Sequence, residues 1–234
     1  MLNEAFEALK KYDWGTDRAP VAPIEQAVTA SHGNAAARED LEKRLLAALQ
    51  GELSRDARDF VCRMLTICGS AAAVPAVAPL LTDEYHSHMA RFVLERIAAP
   101  EAAQALRDAL AKVSGKMKIG VIGSLGGRRD TAAVPALCTL LKDENAAVAR
   151  SAAVALGDIG SAEAAKALQE CQPAAAETKQ AVIDAQLACA EALLAESKAS
   201  VAMGIYKALA GDDQARLVRL AATRGMLNCA GKPA

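Results

Sequence analysis

Two stretches of this chain repeat almost the same sequence sixty positions apart. AAAVPAVAPLLTDE begins at Ala71 and TAAVPALCTLLKDE at Thr131; EAAQALRDALAK, starting at Glu101 between them, follows the same template more loosely. The period is therefore near thirty residues. Self-similarity at such a period specifies an array of supersecondary units, each burying its apolar face only against its neighbours. At 234 residues the chain is long for one compact core and ordinary for an array of this kind.

Each unit reads as two antiparallel helices. Val74, Val77, Leu80 and Leu81 recur at three- and four-residue steps, as do Val134, Leu137, Leu140 and Leu141, giving one apolar face to the first helix. Pro75 and Pro135 fall in its opening turn, where a missing N–H costs little. The second helix is clearest in NAAVARSAAVALGDIGS, where Val148, Ala152, Leu156 and Ile159 face inward and Gly160 supplies a left-handed stop. Composition agrees: the chain is 53% hydrophobic, rich in helix-forming alanine and leucine, and only 3% aromatic. No stretch alternates with period two in a strand-like run.

These units predict inner helices over 54–68, 87–98, 116–126, 146–159, 177–195 and 213–229, preceded by a helical cap at 3–12 and 20–31. The expected architecture is all-α: one domain over 1–234, a right-handed α-α superhelix of about six helix pairs. Residues 1–39 form the cap, 40–160 well-matched repeats and 161–234 divergent ones. Around ALLAESKASVAM the glycine stop is missing, so the fifth turn departs from the template.

KMKIGVIGSLGGRRD, residues 116–130, resembles a phosphate loop only superficially. Placing Leu125 on Leu156 and Gly126 on Gly157 makes it the inner helix of a repeat, and no strand precedes it. The glycine spacing fits neither the dinucleotide nor the P-loop pattern, and Ile122 breaks the serine-elbow motif. Gly120, Gly123 and Gly127 nevertheless form a bare stripe, open to two readings: close helix packing, or a shallow binding hollow.

VARSAAVALGDIGS followed by AEAAKAL resembles HEAT repeats, specifically the short bacterial type named phycobilisome-lyase HEAT-like. The likeness covers 54–160 well and 161–230 loosely, and AFEALKKYDWGTDRAPVAPIEQAV resembles the lead-in of some bacterial HEAT-repeat proteins. The resemblance implies binding through a concave surface lined by the second helices. Phase then selects Asp56, Asp59, Phe60 and Arg63 in the first unit, and Tyr85, His88, Met89, Phe92 and Arg96 in the second. Lys116, Ile119, Gly120 and Gly123 follow in the third, then Arg150, Ser151, Val154 and Asp158. Exposed aromatics beside arginines have the composition of interface hot spots; a one-residue error of phase would bury Phe60 and Phe92 instead.

The expected function is a non-enzymatic scaffold that binds a protein or peptide on this concave face, without a cofactor. The resemblance also implies an alternative, a HEAT-like enzyme or ligand binder. A bilin lyase would need a tetrapyrrole pocket, for which Tyr85, His88 and Phe92 are the candidates. A DNA glycosylase would need a basic groove, against which the near-cancelling concave charges argue. A net charge of −1 and a pI near 6.3 likewise give no global attraction to nucleic acid. No serine or cysteine stands in a defensible catalytic spacing with histidine and carboxylate. His86 and His88, two apart on a helix, would point about 200° apart and could not chelate together, so no metal is expected.

No run of about 18 uncharged apolar residues suggests a membrane span. The six cysteines form no C-x-x-C pair and sit among apolar residues, the pattern of buried free thiols. The expected compartment is cytoplasmic if the chain is whole, and periplasmic or secreted if a signal peptide has been removed. Trp14, the single tryptophan, is expected to anchor the cap to the first repeat, with Gly15 making the turn. Nothing in the sequence specifies an oligomeric state.

Overall fold

A computed structural model of the chain describes residues 1–171, 173 and 175–231. Among them are fourteen α-helices, three short 3-10 segments and no strand. The chain divides into two compact units, Met1–Val121 and Ile122–Ala234.

The first unit opens with α1 (Leu2–Leu9) and α2 (Ala22–Ala30), followed by α3 (Ala35–Leu49) packed on α4 (Arg55–Cys68). A short α5 (Val74–Val77) lies between 3-10 segments at Ala71–Ala73 and Ala78–Thr82, and all three precede α6 (Ser87–Arg96), α7 (Pro100–Leu110) and α8 (Gly115–Gly127). The second unit continues through α9 (Val134–Leu140), α10 (Ala146–Ile159), α11 (Ala162–Glu170), α12 (Ala176–Ala195), α13 (Ala199–Leu209) and α14 (Arg216–Ala230). The six expected inner helices are α4, α6, α8, α10, α12 and α14, each within three residues of its expected ends. Successive inner helices pack side by side, α4 on α6 in the first unit and α10 on α12 in the second.

The two near-identical outer segments differ in one instructive way. Pro79 occupies the position of Thr139. Lacking an N–H, it breaks the α-helical ladder, and the chain tightens to 3-10 over Ala78–Thr82 while α9 runs unbroken to Leu140. Val74, Val77 and Leu81 are buried, as are Val134, Leu137 and Leu141; Leu80 and Leu140 are only half-buried, at the edge of the stripe.

Two inner helices start on side-chain caps: at α4 Ser54 Oγ accepts from Ala57 N–H, and at α10 Asn145 Oδ1 accepts from Ala147 N–H. Three inner helices, α8, α10 and α12, end in a left-handed residue. Gly160 closes α10 at φ +63° as expected. Where α12 lacks a glycine, Ser197 itself adopts φ +63°, with Ser197 N–H donating to Leu194 O and Lys198 N–H to Leu193 O. Arg129 ends α8 the same way, at φ +52°, with Asp130 N–H reaching Leu125 O. These are Schellman closures made without glycine.

Leu9, Ile24, Leu45, Leu65 and Leu94 fill the first core; Leu125, Leu137, Leu156, Leu168 and Leu193 fill the second. One buried acid joins neighbouring repeats: Glu42 on α3 accepts from Ser70 N–H at 2.6 Å and from Ser70 Oγ at 2.8 Å. Trp14 does not anchor the cap. It is 87% exposed, because the turn through Gly15 (φ +77°) swings it outward. Tyr12 takes that part, its ring 5.9 Å from Phe60 and its carbonyl accepting from Ser54 Oγ at 2.6 Å.

Candidate functional site

In the first unit, the exposed side of α6 carries the strongest concentration of interaction chemistry. Tyr85 stands just ahead of α6, held by its N–H donating to Asp83 Oδ1 at 2.8 Å. Its ring is 65% exposed, and the Arg55 guanidinium of α4 lies 5.4 Å from its centroid. A cation over an aromatic face at this range is attracted by the ring quadrupole, which restrains both groups. One turn on, His88 meets Phe92 with centroids 5.2 Å apart at 59°. The i, i+4 spacing makes that contact, and both rings remain exposed. Arg96 continues the stripe and is exposed, as is Arg63 on α4.

Arg91 supports this face from beneath. Its Nη2 is 3.1 Å from His88 Nδ1, and its Nη1 donates to Gly120 O at 3.1 Å. A methyl group at Gly120 would strike the guanidinium, so the bare glycine makes room for Arg91. Burial pulls the Arg91 guanidinium below its usual range, with Glu95 opposing.

Phe60 is a correction. It is fully buried, since it belongs to the wide apolar stripe of α4 with Ala57, Val61, Met64 and Leu65. Arg63, its guanidinium 5.9 Å from the Phe60 ring, and half-buried Tyr12 lie between it and the surface. Asp59 is half-buried, with Oδ1 enclosed and without a hydrogen-bond partner, and Ile119 is half-buried. Gly123, Arg150 and Val154 are exposed in the second unit, where Arg150 pairs with Glu177 at 2.9 Å. The structure thus pairs His88 with Phe92 and sets arginines against Tyr85 and His88. It adds Arg55 and Arg91, which phase alone did not select; their signal was the 29- to 30-residue offset to Tyr85 and Gly120.

The glycine stripe is not a helix-packing seam. Gly123 and Gly127 face open space. The close helix contacts are made instead by Gly126, where a Cβ would fall 2.8 Å from Ala155 Cα, and by Gly157, 3.0 Å from Ala185 Cα. These two glycines were aligned in the sequence, and they occupy the same contact in successive repeats.

The two neighbouring histidines diverge. His86 turns inward, with Nδ1 3.1 Å from Asp83 Oδ1, while His88 faces out. Among the described residues, no group of three or more His, Cys, Asp or Glu side chains is placed to hold a metal ion. No described helix is long and apolar enough to cross a membrane.

Residues 103–186 match the family model of HEAT repeats. Among solved structures, the chain is similar to an archaeal HEAT-like repeats protein from Thermococcus onnurineus NA1, with 14% identity and a TM-score of 0.52 over 98% of this chain and 97% of that one. The fold is a HEAT-like all-α solenoid. An engineered protein aligns at 20% identity and TM-score 0.45, over 98% of this chain and 69% of its own length. A second engineered protein aligns at 18% identity and TM-score 0.42, over 89% and 96%. No curated protein matches the chain.

Proposed function

We propose that this HEAT-like repeat protein is a non-enzymatic scaffold that captures a protein or peptide on the first unit's face formed by Tyr85, His88 and Phe92. The observation that carries the reading is the exposure of these rings, His88 against Phe92 and Arg55 over Tyr85. Tyrosine, phenylalanine and arginine are the side chains through which interfaces gain most of their energy. Rings already held by Arg55 and by each other lose less freedom when a partner arrives, so less of the contact energy is spent on ordering.

The test is affinity capture from native lysate with wild type and a Tyr85→Ala/Phe92→Ala variant whose helicity and melting match wild type. The expected result is a protein retained by wild type and lost by the variant. Capture of the same set by both, or of nothing by wild type, would overturn the reading.

A further inference from the structure

We propose that α14 is a self-association surface on which two copies of this chain pack their α14 helices antiparallel. The helix has two apolar faces. Val218, Ala222, Gly225 and Cys229 form the buried one, and Gly225 has no room for a Cβ against the Tyr206 ring. On the opposite side Leu217, Leu220 and Leu227 are 79%, 56% and 69% exposed. Single surface leucines need no explanation, but three on one stripe of one helix, interrupted only by Arg224, form a largely apolar strip.

The spacing and charge of that strip specify its occupant. Leu217, Leu220, Arg224 and Leu227 step by three, four and three, a sequence of steps that reads identically in both directions. Against a reversed copy, Leu217 therefore meets Leu227 of the other copy, and Leu220 lies against the aliphatic stem of its Arg224. This is the self-complementarity a two-fold interface demands.

Charge points the same way. α14 carries Arg216, Arg219 and Arg224 and no acid, so two bare α14 faces would repel. Arg219 is taken by Asp212 at 2.8 Å. A groove of about 740 Å³ beside the strip, however, is lined by Arg224 of α14 and Glu191 of α12, with Leu227 and Asn228. Neither Arg224 nor Glu191 enters an ion pair among the described residues. Across a two-fold, Arg224 of each copy meets Glu191 of the other, and both charges are satisfied. One helix strip and a groove rim lie at the small end of specific interfaces, which bury roughly 800 Å² per partner, so the dimer is weak and concentration-dependent.

Sedimentation equilibrium of the whole chain over a wide concentration range tests this. The weight-average mass should climb from the monomer's 24.3 kDa towards twice that value. Leu220→Glu should abolish the rise. Arg224→Glu and Glu191→Arg should each weaken association by about tenfold or more, because each opposes like charges twice per dimer. An equimolar mixture of the two variants should regain it, since the swapped charges are again opposite across the interface. All three substitutions are at the surface, and matching melts verify the fold. A protein that stays monomeric throughout, including one whose strip takes up a different protein, overturns the proposal. So does a dimer indifferent to Leu220→Glu, or a variant mixture that fails to recover.

Discussion

Gly123 and Gly126, three residues apart on α8, have opposite physical roles. Gly123 faces open space in a helical conformation, so Gly123→Ala should raise stability by ~0.4–1 kcal/mol, chiefly by restricting the unfolded chain. Gly126 packs against the backbone of α10, which cannot swing aside as a side chain could. Gly126→Ala should therefore cost ~1–3 kcal/mol through overpacking. Chemical denaturation of the two variants beside wild type checks both signs. The same resolution applies to aromatics: Phe60 and Phe92 lie on corresponding helices, yet one is core and the other surface, because α4 carries a wider apolar stripe.

Each inner helix must stop on time for the next outer helix to return. Gly160 does so without strain, whereas Arg129 and Ser197 hold the same left-handed turn with a Cβ present. Arg129 gains compensation: its Nη2 donates to Glu196 at 2.9 Å, within one turn of Ser197. No comparable side-chain bond holds Ser197 among the described residues. Ser197→Gly should accordingly stabilise the protein by about 1 kcal/mol, the scale of the left-handed penalty for a residue with a Cβ, less the extra entropy of glycine. A rise in melting temperature checks it. A fall would mean that Ser197 contributes an interaction that outweighs its backbone cost.

For the molecule as a whole, the buried thiols set an alkaline limit. Burial pushes Cys62 up to about 12, with Asp59 adding to the effect, and pushes Cys68 and Cys189 each up to about 11. Burial likewise pushes the Tyr206 hydroxyl up to about 12. In the unfolded chain these thiols lose their protons near 9.0, while in the folded protein they retain them. The native state then binds more protons, so stability is complete below pH 9 and falls as pH rises through 9 towards 11–12. Each pH unit in that window should remove ~1.4 kcal/mol per fully buried thiol. Urea midpoints followed from neutral to alkaline pH should show the decline, and Cys62→Ala should flatten it.

Helix periodicity and a thirty-residue repeat were enough to place all six inner helices, the Gly160 stop and most of the core, because these depend on local spacing that each unit restates. The sequence also aligned Gly126 with Gly157, and the structure found both at the same interhelical contact. What local spacing could not decide was how far each apolar stripe extends around its helix. That breadth depends on which neighbour packs where: it buried Phe60, released Trp14 in favour of Tyr12, and left Gly123 open. Pairings across repeats were equally out of reach. Arg55 on Tyr85 and Arg91 on Gly120 join residues far apart in the chain, as does the groove lined by Arg224 and Glu191 beside the exposed leucines of α14, and only tertiary packing brings such groups within range of one another.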